Sequence, residues 1–442
     1  MTEPRPSAET AGDDRARFAA DGALLVVANG LAGLLFLAVH IVLGRSMDGV
    51  DYAALVSLIG LLNVLSVGSN ALQVAMARFT AGVQATDAAH FSRRVLVRVA
   101  TVTPAALLLW LGASFGLRGL LEAPSVLALW LLGLVASLQL FTPLAQGLLQ
   151  GQRLFGWLAA AALGGAGARL GAAGVVAACG GRVSAALLAF VAGALVSLAL
   201  CVWPLRRRLA STAMDATSPI DMGAVDRYAL SVAGGQLLLF TLMNADLILA
   251  QRLLDGDDLA AYGKAAMLAR ALIFLPLPVV LAMFPRAVVS ARLRLLGAPL
   301  AFVAAVAVLS AALISLDPAL PLTWIYGPDL EAAAPELARR YVWAAIPLVL
   351  LEVLIPYLWA RDRPRTVLVL AAPAAGLLVA LLAAVGRPEA MIDALGVCGA
   401  LTFLLLLFAW RFGARRGAGS SAVGSAAMHD LGPENDPRDV DA

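Results

Sequence analysis

Two ordered stripes of amide and hydroxyl side chains interrupt an otherwise apolar chain. Asn63, Ser66, Asn70 and Gln73 are spaced three, four and three residues apart. At about 100° per residue they share one face of a helix. Gln139, Thr142, Gln146 and Gln150 repeat the device and lead on to Arg153. Lipid cannot satisfy amide donors, so both stripes must meet protein or water. One reading is hydrogen bonding between helices, the usual fate of a single amide in a membrane span. The other, which two whole stripes favour, is a pair of walls around a wet cavity. Amides donate and accept alike, which suits sugar hydroxyls.

Four charges also lie inside apolar stretches. Arg169 sits among Gly164, Gly165, Gly167, Gly171 and Gly174, near mid-span, where snorkelling to either surface is difficult. It must find an anion, and the planar fork of an arginine fits a phosphate through paired charge-assisted bonds. Asp246 lies 11 residues before Asp257 and Arg270 lies 13 after it, which puts them at one depth in antiparallel neighbours. They make either a structural ion pair or part of a ligand or ion site, and the sequence holds these two readings level. Glu352 stands between Pro347 and Pro356. Asp246 and Glu352 are therefore the candidates for binding a proton or cation, and Arg270 and Arg169 the candidates for neutralising a phosphate. His40, alone near the end of its span, reads as a packed or interfacial side chain. The Gly167-x-x-x-Gly171 pair reads as close helix packing.

The elements that must position these residues follow from composition. With 61% hydrophobic and 14% charged residues and a mean hydropathy of +0.87, a soluble main body is excluded. Twelve spans can each cross a hydrocarbon core: 22–43, 52–78, 95–117, 124–149, 155–178, 184–204, 228–251, 260–284, 296–316, 337–359, 366–386 and 389–410. Arginines crowd one set of connections, including Arg93, Arg94, Arg153, Arg206, Arg207, Arg208, Arg227 and Arg286. By the positive-inside rule both termini are then cytoplasmic, in a multi-pass protein of the cell (inner) membrane. The net charge of +3 thus encodes topology and points to no nucleic acid. Cys179, Cys201 and Cys398 lack metal spacing and read as packing residues.

The chain is internally duplicated. Arg45-Ser-Met-Asp48-Gly49-Val-Asp51 returns as Arg252-Leu-Leu-Asp255-Gly256-Asp-Asp258, 207 residues on, and Ala75-Met76 falls on Ala282-Met283. Six spans separate the copies, an even number, so the repeats are parallel about an axis along the membrane normal. The expected organisation is a tail (1–20), an N-lobe (21–205), a linker (206–227), a C-lobe (228–411) and a disordered tail (412–442). The repeat sets Asn63 against Arg270, Asn70 against Leu277 and Gln73 against Val280. The first lobe therefore offers neutral amides and the second apolar surface with isolated charges. Pro276, Pro278 and Pro285 are expected to bend the eighth span into a hinge.

No P-loop, H-E-x-x-H, G-x-S-x-G or Cys/His metal pattern occurs. No cofactor is implied, and an enzyme would have to work from membrane-embedded carboxylates.

Asn244-x-Asp246, Gly256, Tyr262, Pro276 and Phe284-Pro285-Arg286, together with Leu149-Gln150-Gly151-Gln152-Arg153, resemble motifs of the oligosaccharide-flippase branch of the multidrug/oligosaccharidyl-lipid/polysaccharide (MOP) exporter superfamily. The resemblance spans about residues 20–410 and implies an all-α membrane protein whose two six-helix lobes form a V around a central cavity. It further implies transfer of an undecaprenyl-linked sugar headgroup from the inner to the outer leaflet, with a glycan polymerase or glycosyltransferases as partners. A cation-coupled multidrug and toxin antiporter of the same fold is the runner-up; some of those place carboxylates where Asp246 and Glu352 stand. A membrane-embedded glycan polymerase or glycosyltransferase comes third.

Overall fold

The computed structural model describes residues 8–80, 85–210, 221–273, 294–360 and 371–429. These residues form helices joined by short turns, with no strand among them. In chain order the helices are α1 (Ala8–Ser46), α2 (Gly49–Leu65), α3 (Val67–Thr80), α4 (Ala85–Leu121), α5 (Val126–Gly151), α6 (Phe155–Ala178), α7 (Val183–Ala210) and α8 (Met222–Leu253). They continue as α9 (Gly256–Ile273), α10 (Arg294–Leu316), α11 (Ala319–Tyr326), α12 (Ala334–Ala344), α13 (Ile346–Ala360), α14 (Ala371–Leu382) and α15 (Pro388–His429).

Each of the twelve apolar spans falls largely on helix; 274–284 and 366–370 lie outside the described residues, and 383–386 form a turn. The proposed hinge prolines Pro276, Pro278 and Pro285 lie outside them too, as do Leu277 and Val280. Among the described residues eight helices are long and apolar enough to cross a membrane, or nine if α2 and α3 count as one bent span. Helix also runs through 412–429, where composition led us to expect an irregular tail.

Two spans are broken. The second bends by 42° between α2 and α3. No proline lies there; instead the Ser66 hydroxyl donates to the Leu62 carbonyl at 2.7 Å, a back-bond of the kind that bends helices. The tenth span breaks for one residue at Ala345, two before Pro347, whose ring cannot sit against the preceding turn.

Helix starts follow capping chemistry. Asp48 accepts from the Val50 amide at the head of α2, Ser125 from Ala128 at α5, and Asp221 from Gly223 and Ala224 at α8. In the N-lobe α1 packs on α6, α6 on α7, α7 on α5 and α5 on α3. In the C-lobe α9 packs on α12, α12 on α15, and α14 on both α8 and α15. Leu108, Leu109, Phe115, Leu230, Leu313 and Val379 are left exposed. So much apolar outer surface is stable only against lipid.

The lobes meet where α2 and α3 lie against α8 and α9. Tyr52, Ala53 and Val56 of α2 belong to the same buried cluster as the C-lobe core. Small residues permit the approach: a Cβ on Gly263 would lie 2.9 Å from that of Ala53. Inside the N-lobe, Gly147 of α5 packs against Gln73 and Met76, and Gly165 of α6 lies against Ser197 and the Gly193 carbonyl. The Gly167–Gly171 pair corrects our reading of the sequence. Neither glycine, nor Gly174, has another group within 4 Å of where its Cβ would be. The pattern marks a smooth helix face but does not say which face a neighbour uses.

Candidate functional site

The deepest polar cluster joins the two halves. On α8 the carboxylate of Asp246 is fully buried and accepts from three donors. Arg270 Nη2 lies 3.3 Å from Oδ1, and the Tyr262 hydroxyl donates to Oδ2 at 2.8 Å. The Tyr341 hydroxyl also donates to Oδ2. Arg270 in turn donates through Nη1 to Asn244 Oδ1 at 2.9 Å and through Nη2 to the Met243 carbonyl. Asn244 Oδ1 accepts a second bond, at 3.2 Å, from Asn63 Nδ2 of the N-lobe. Of Arg270's nitrogens only Nε is buried without a partner. A charge pair in so dry a place is tolerable because nearly all its polar atoms are bonded. The ion pair, one of the two sequence readings, is therefore present.

The amide stripes divide into two parts. Toward the Asp48 end, Asn63 bonds Asn244, the Ser66 hydroxyl shares its one proton between the Leu62 carbonyl and Gln139 Oε1, and Thr142 donates to the Leu138 carbonyl. These four side chains serve as interhelical or local hydrogen bonds. Toward the Thr80 end, Asn70, Gln73 and Gln146 are half-buried and Gln150 is exposed. None of those four side-chain amides has a hydrogen-bond partner among the described residues. They belong to α3 and α5, which pack against each other with Gly147 at the contact. Free donors and acceptors at membrane depth require water or a polar ligand.

The remaining candidates stand apart. Arg169 of α6 lies between aromatic rings, its guanidinium carbon 4.8 Å from the centre of Phe190 and 5.6 Å from that of Phe36. It has no acidic partner among the described residues, and its Nε is buried and unbonded. Glu352 of α13 is half-buried and likewise without a hydrogen bond or ion pair among the described residues. His40 is buried and packed, its Nδ1 3.0 Å from the Tyr52 hydroxyl. The geometry thus joins Asp246, Arg270 and Asn63, joins Ser66 and Gln139, and leaves Arg169 and Glu352 separate.

The fold recurs in solved structures. The chain superposes with TM-score 0.71 and 14% identity on an inward-facing multidrug resistance MATE family transporter of the MOP superfamily, covering 90% of this chain and 99% of that one. The lipid II flippase MurJ, in an inward closed conformation, gives TM-score 0.70 at 10% identity over 88% and 87%. The chain shares the fold of these structures. A MATE structure in an outward-facing conformation gives 0.56 at 14% identity over 90% and 94%. No protein-family model and no curated protein matches the sequence.

On this fold the sequence reading of the buried cluster missed the roles of Asn244, Tyr262 and Tyr341. Asn244 and Tyr262 lie close in sequence to Asp246, but Tyr341 is 95 residues from it. The available signal was physical: an intramembrane carboxylate needs donors beyond one arginine, and a buried tyrosine hydroxyl needs an acceptor.

Proposed function

We propose that this MOP-fold protein is a flippase that carries a lipid-linked oligosaccharide, of the undecaprenyl-pyrophosphate type, from the inner to the outer leaflet of the cell membrane. The observation that carries the reading is the unbonded amide group formed by Asn70, Gln73, Gln146 and Gln150. Neutral amides, each both donor and acceptor, match the hydroxyls of a glycan and offer little to a cationic drug. With the termini cytoplasmic, these amides sit toward the inner side, where such a substrate is made. The lipid tail stays in the bilayer while the sugars enter between the lobes, and rocking of the lobes presents them outside.

A pyrophosphate passing through the membrane needs cations. Arg169 has aromatic neighbours and no acidic partner among the described residues, which suits it to a phosphate; Arg270 has only Nε left to offer. Glu352 is the carboxylate left free for a coupling ion, since Asp246 is held by three donors.

Deleting the gene tests this. Loss of surface glycan with accumulation of its lipid-linked precursor inside is expected. Unchanged surface glycan with altered sensitivity to cationic compounds would instead favour the multidrug antiporter, and conversion of labelled precursor in detergent would favour an enzyme.

A further inference from the structure

The repeated motif around Arg45 and Arg252 has a second use. Each arginine lies in the last turn of its helix, α1 and α8 respectively. Each reaches across to the other lobe. Arg45 Nε donates to the Ile325 carbonyl at 2.9 Å and its Nη2 to the Trp324 carbonyl, at the end of α11 in the C-lobe. Arg252 Nη1 donates to the Leu120 carbonyl at 3.0 Å, at the end of α4 in the N-lobe. The targets correspond as well: 207 residues beyond Leu120 stands Gly327, directly after the last turn that Arg45 takes. The last carbonyls of a helix lack partners within it and carry its negative end, so a guanidinium is their natural complement.

We infer that Arg45 and Arg252 are reciprocal latches, each capping a helix of the opposite lobe, and that together they hold the Asp48 face of the protein shut. Beneath them the face is sealed by close contact. Lys264 pairs with Glu331 at 2.8 Å, both largely buried. Glu331 Oε1 lies 2.7 Å from where a Cβ on Gly49 would be, so no larger residue fits there undisturbed. The Tyr52 and Tyr326 hydroxyls meet across the lobes at 3.2 Å. The opposite face is bridged by other contacts, with the Arg78 guanidinium carbon 4.5 Å from the centre of the Tyr228 ring and the Phe79 and Tyr228 ring centres 6.0 Å apart. It carries the cross-lobe pair Arg98–Asp226 at 2.8 Å, with both side chains more than half exposed. At the repeat offset from these two stand Ala305 and Ala19, so no reciprocal partner exists. The unbonded amides Asn70, Gln73 and Gln146 lie toward that face. The latch rests on the alternating-access part of the proposed function and not on its substrate. Opening the Asp48 face requires both arginines to release their carbonyls, and solvent then takes both exposed guanidiniums at little cost. That makes the latch reversible.

The test uses full-length protein in lipid vesicles, with Cys179, Cys201 and Cys398 replaced by Ala and Ser57→Cys as reporter. Ser57 is buried in the seam below the latches, 2.7 Å from the Leu247 carbonyl. A water-soluble thiol reagent should label it slowly. Arg45→Ala and Arg252→Ala should each speed labelling by about threefold to tenfold, and the double variant by about the product of the two. Arg182→Ala removes an exposed arginine paired with Asp51 of its own lobe at 3.5 Å and should leave the rate unchanged. Ser92→Cys, buried inside the N-lobe, should stay unlabelled in every folded variant. If an alanine variant labels there too, Arg45→Gln and Arg252→Gln, which retain more of the side-chain stem, decide by the same comparison. Unchanged labelling in the double variant, or an effect of one arginine alone, would overturn the reciprocal latch. Because the readout needs no glycan, that failure would leave the substrate reading standing, and failure of the gene-deletion test would leave the latch standing.

Discussion

Asn63 and Arg270 occupy equivalent positions in the two repeats, and both donate to one atom, Oδ1 of Asn244, at 3.2 and 2.9 Å. A duplicated position has become a neutral amide in one lobe and a cation in the other, and the two converge on the seam between them. The N-lobe is thereby tied to the buried charge pair of the C-lobe without contributing a charge of its own.

That relationship gives a stability prediction. Arg270→Ala strands the buried Asp246 carboxylate and should lower stability by about 3–5 kcal/mol, as when one partner of a buried pair is removed. Adding Asp246→Asn should recover much of the loss, because a neutral amide no longer needs the cation. Thermal unfolding of the detergent-solubilised variants measures both. No recovery in the double variant would mean that Arg270 acts through its bonds to Asn244 and Met243 and not through the pair.

The two parts of the amide stripes should respond differently to substitution. Ser66→Ala and Gln139→Leu each break a bond between helices and should cost about 1 kcal/mol, with a coupling of similar size in the double-mutant cycle. Asn70→Leu and Gln146→Leu break none and should stay within about 0.5 kcal/mol of the parent protein. Export of glycan should fall in the second pair all the same.

Much of this molecule is legible in its sequence, and the gaps have physical causes. Hydropathy sets the spans, because lipid demands long apolar helices, and the 207-residue repeat sets the lobes. Depth counting puts Asp246 level with Arg270. The bend at Ser66 is not readable, since a serine fits a straight helix as well as a bent one until its hydroxyl finds the Leu62 carbonyl. Nor is the division of the stripes. Spacing places Ser66 and Asn70 on one face, but only the crossing of α3 and α5 decides which of them meets Gln139.

The glycines of α6 offer a direct check on packing. Gly165→Ala sets a methyl 2.8 Å from Ser197 Cβ and 3.0 Å from the Gly193 carbonyl, and should destabilise by about 1–3 kcal/mol. Gly167→Ala and Gly171→Ala meet nothing within 4 Å. They should be neutral or stabilise by up to about 1 kcal/mol through helix propensity. Equal losses at all three would restore the close-packing role that the sequence pattern implied for Gly167 and Gly171.

Arg169 carries the phosphate part of the proposal. Arg169→Leu should abolish glycan export, and Arg169→Lys should retain part of it, because the charge survives while the fork geometry does not. Membrane levels of both variants, followed alongside surface glycan, separate loss of transport from loss of protein. Full export by Arg169→Leu would remove this residue from the substrate path.

The most direct measurement is translocation itself. Purified protein would be reconstituted into vesicles holding a fluorescent polyprenyl-pyrophosphate oligosaccharide, with an impermeant oxidant of sugar diols outside. Empty vesicles expose only the outer-leaflet pool to the oxidant. Vesicles with protein should expose the inner pool as well, and Asn70→Leu with Gln146→Leu should slow that second phase. If the protein leaves the inner pool protected while moving a cationic dye across the same vesicles, the flippase reading is wrong and the antiporter reading takes its place.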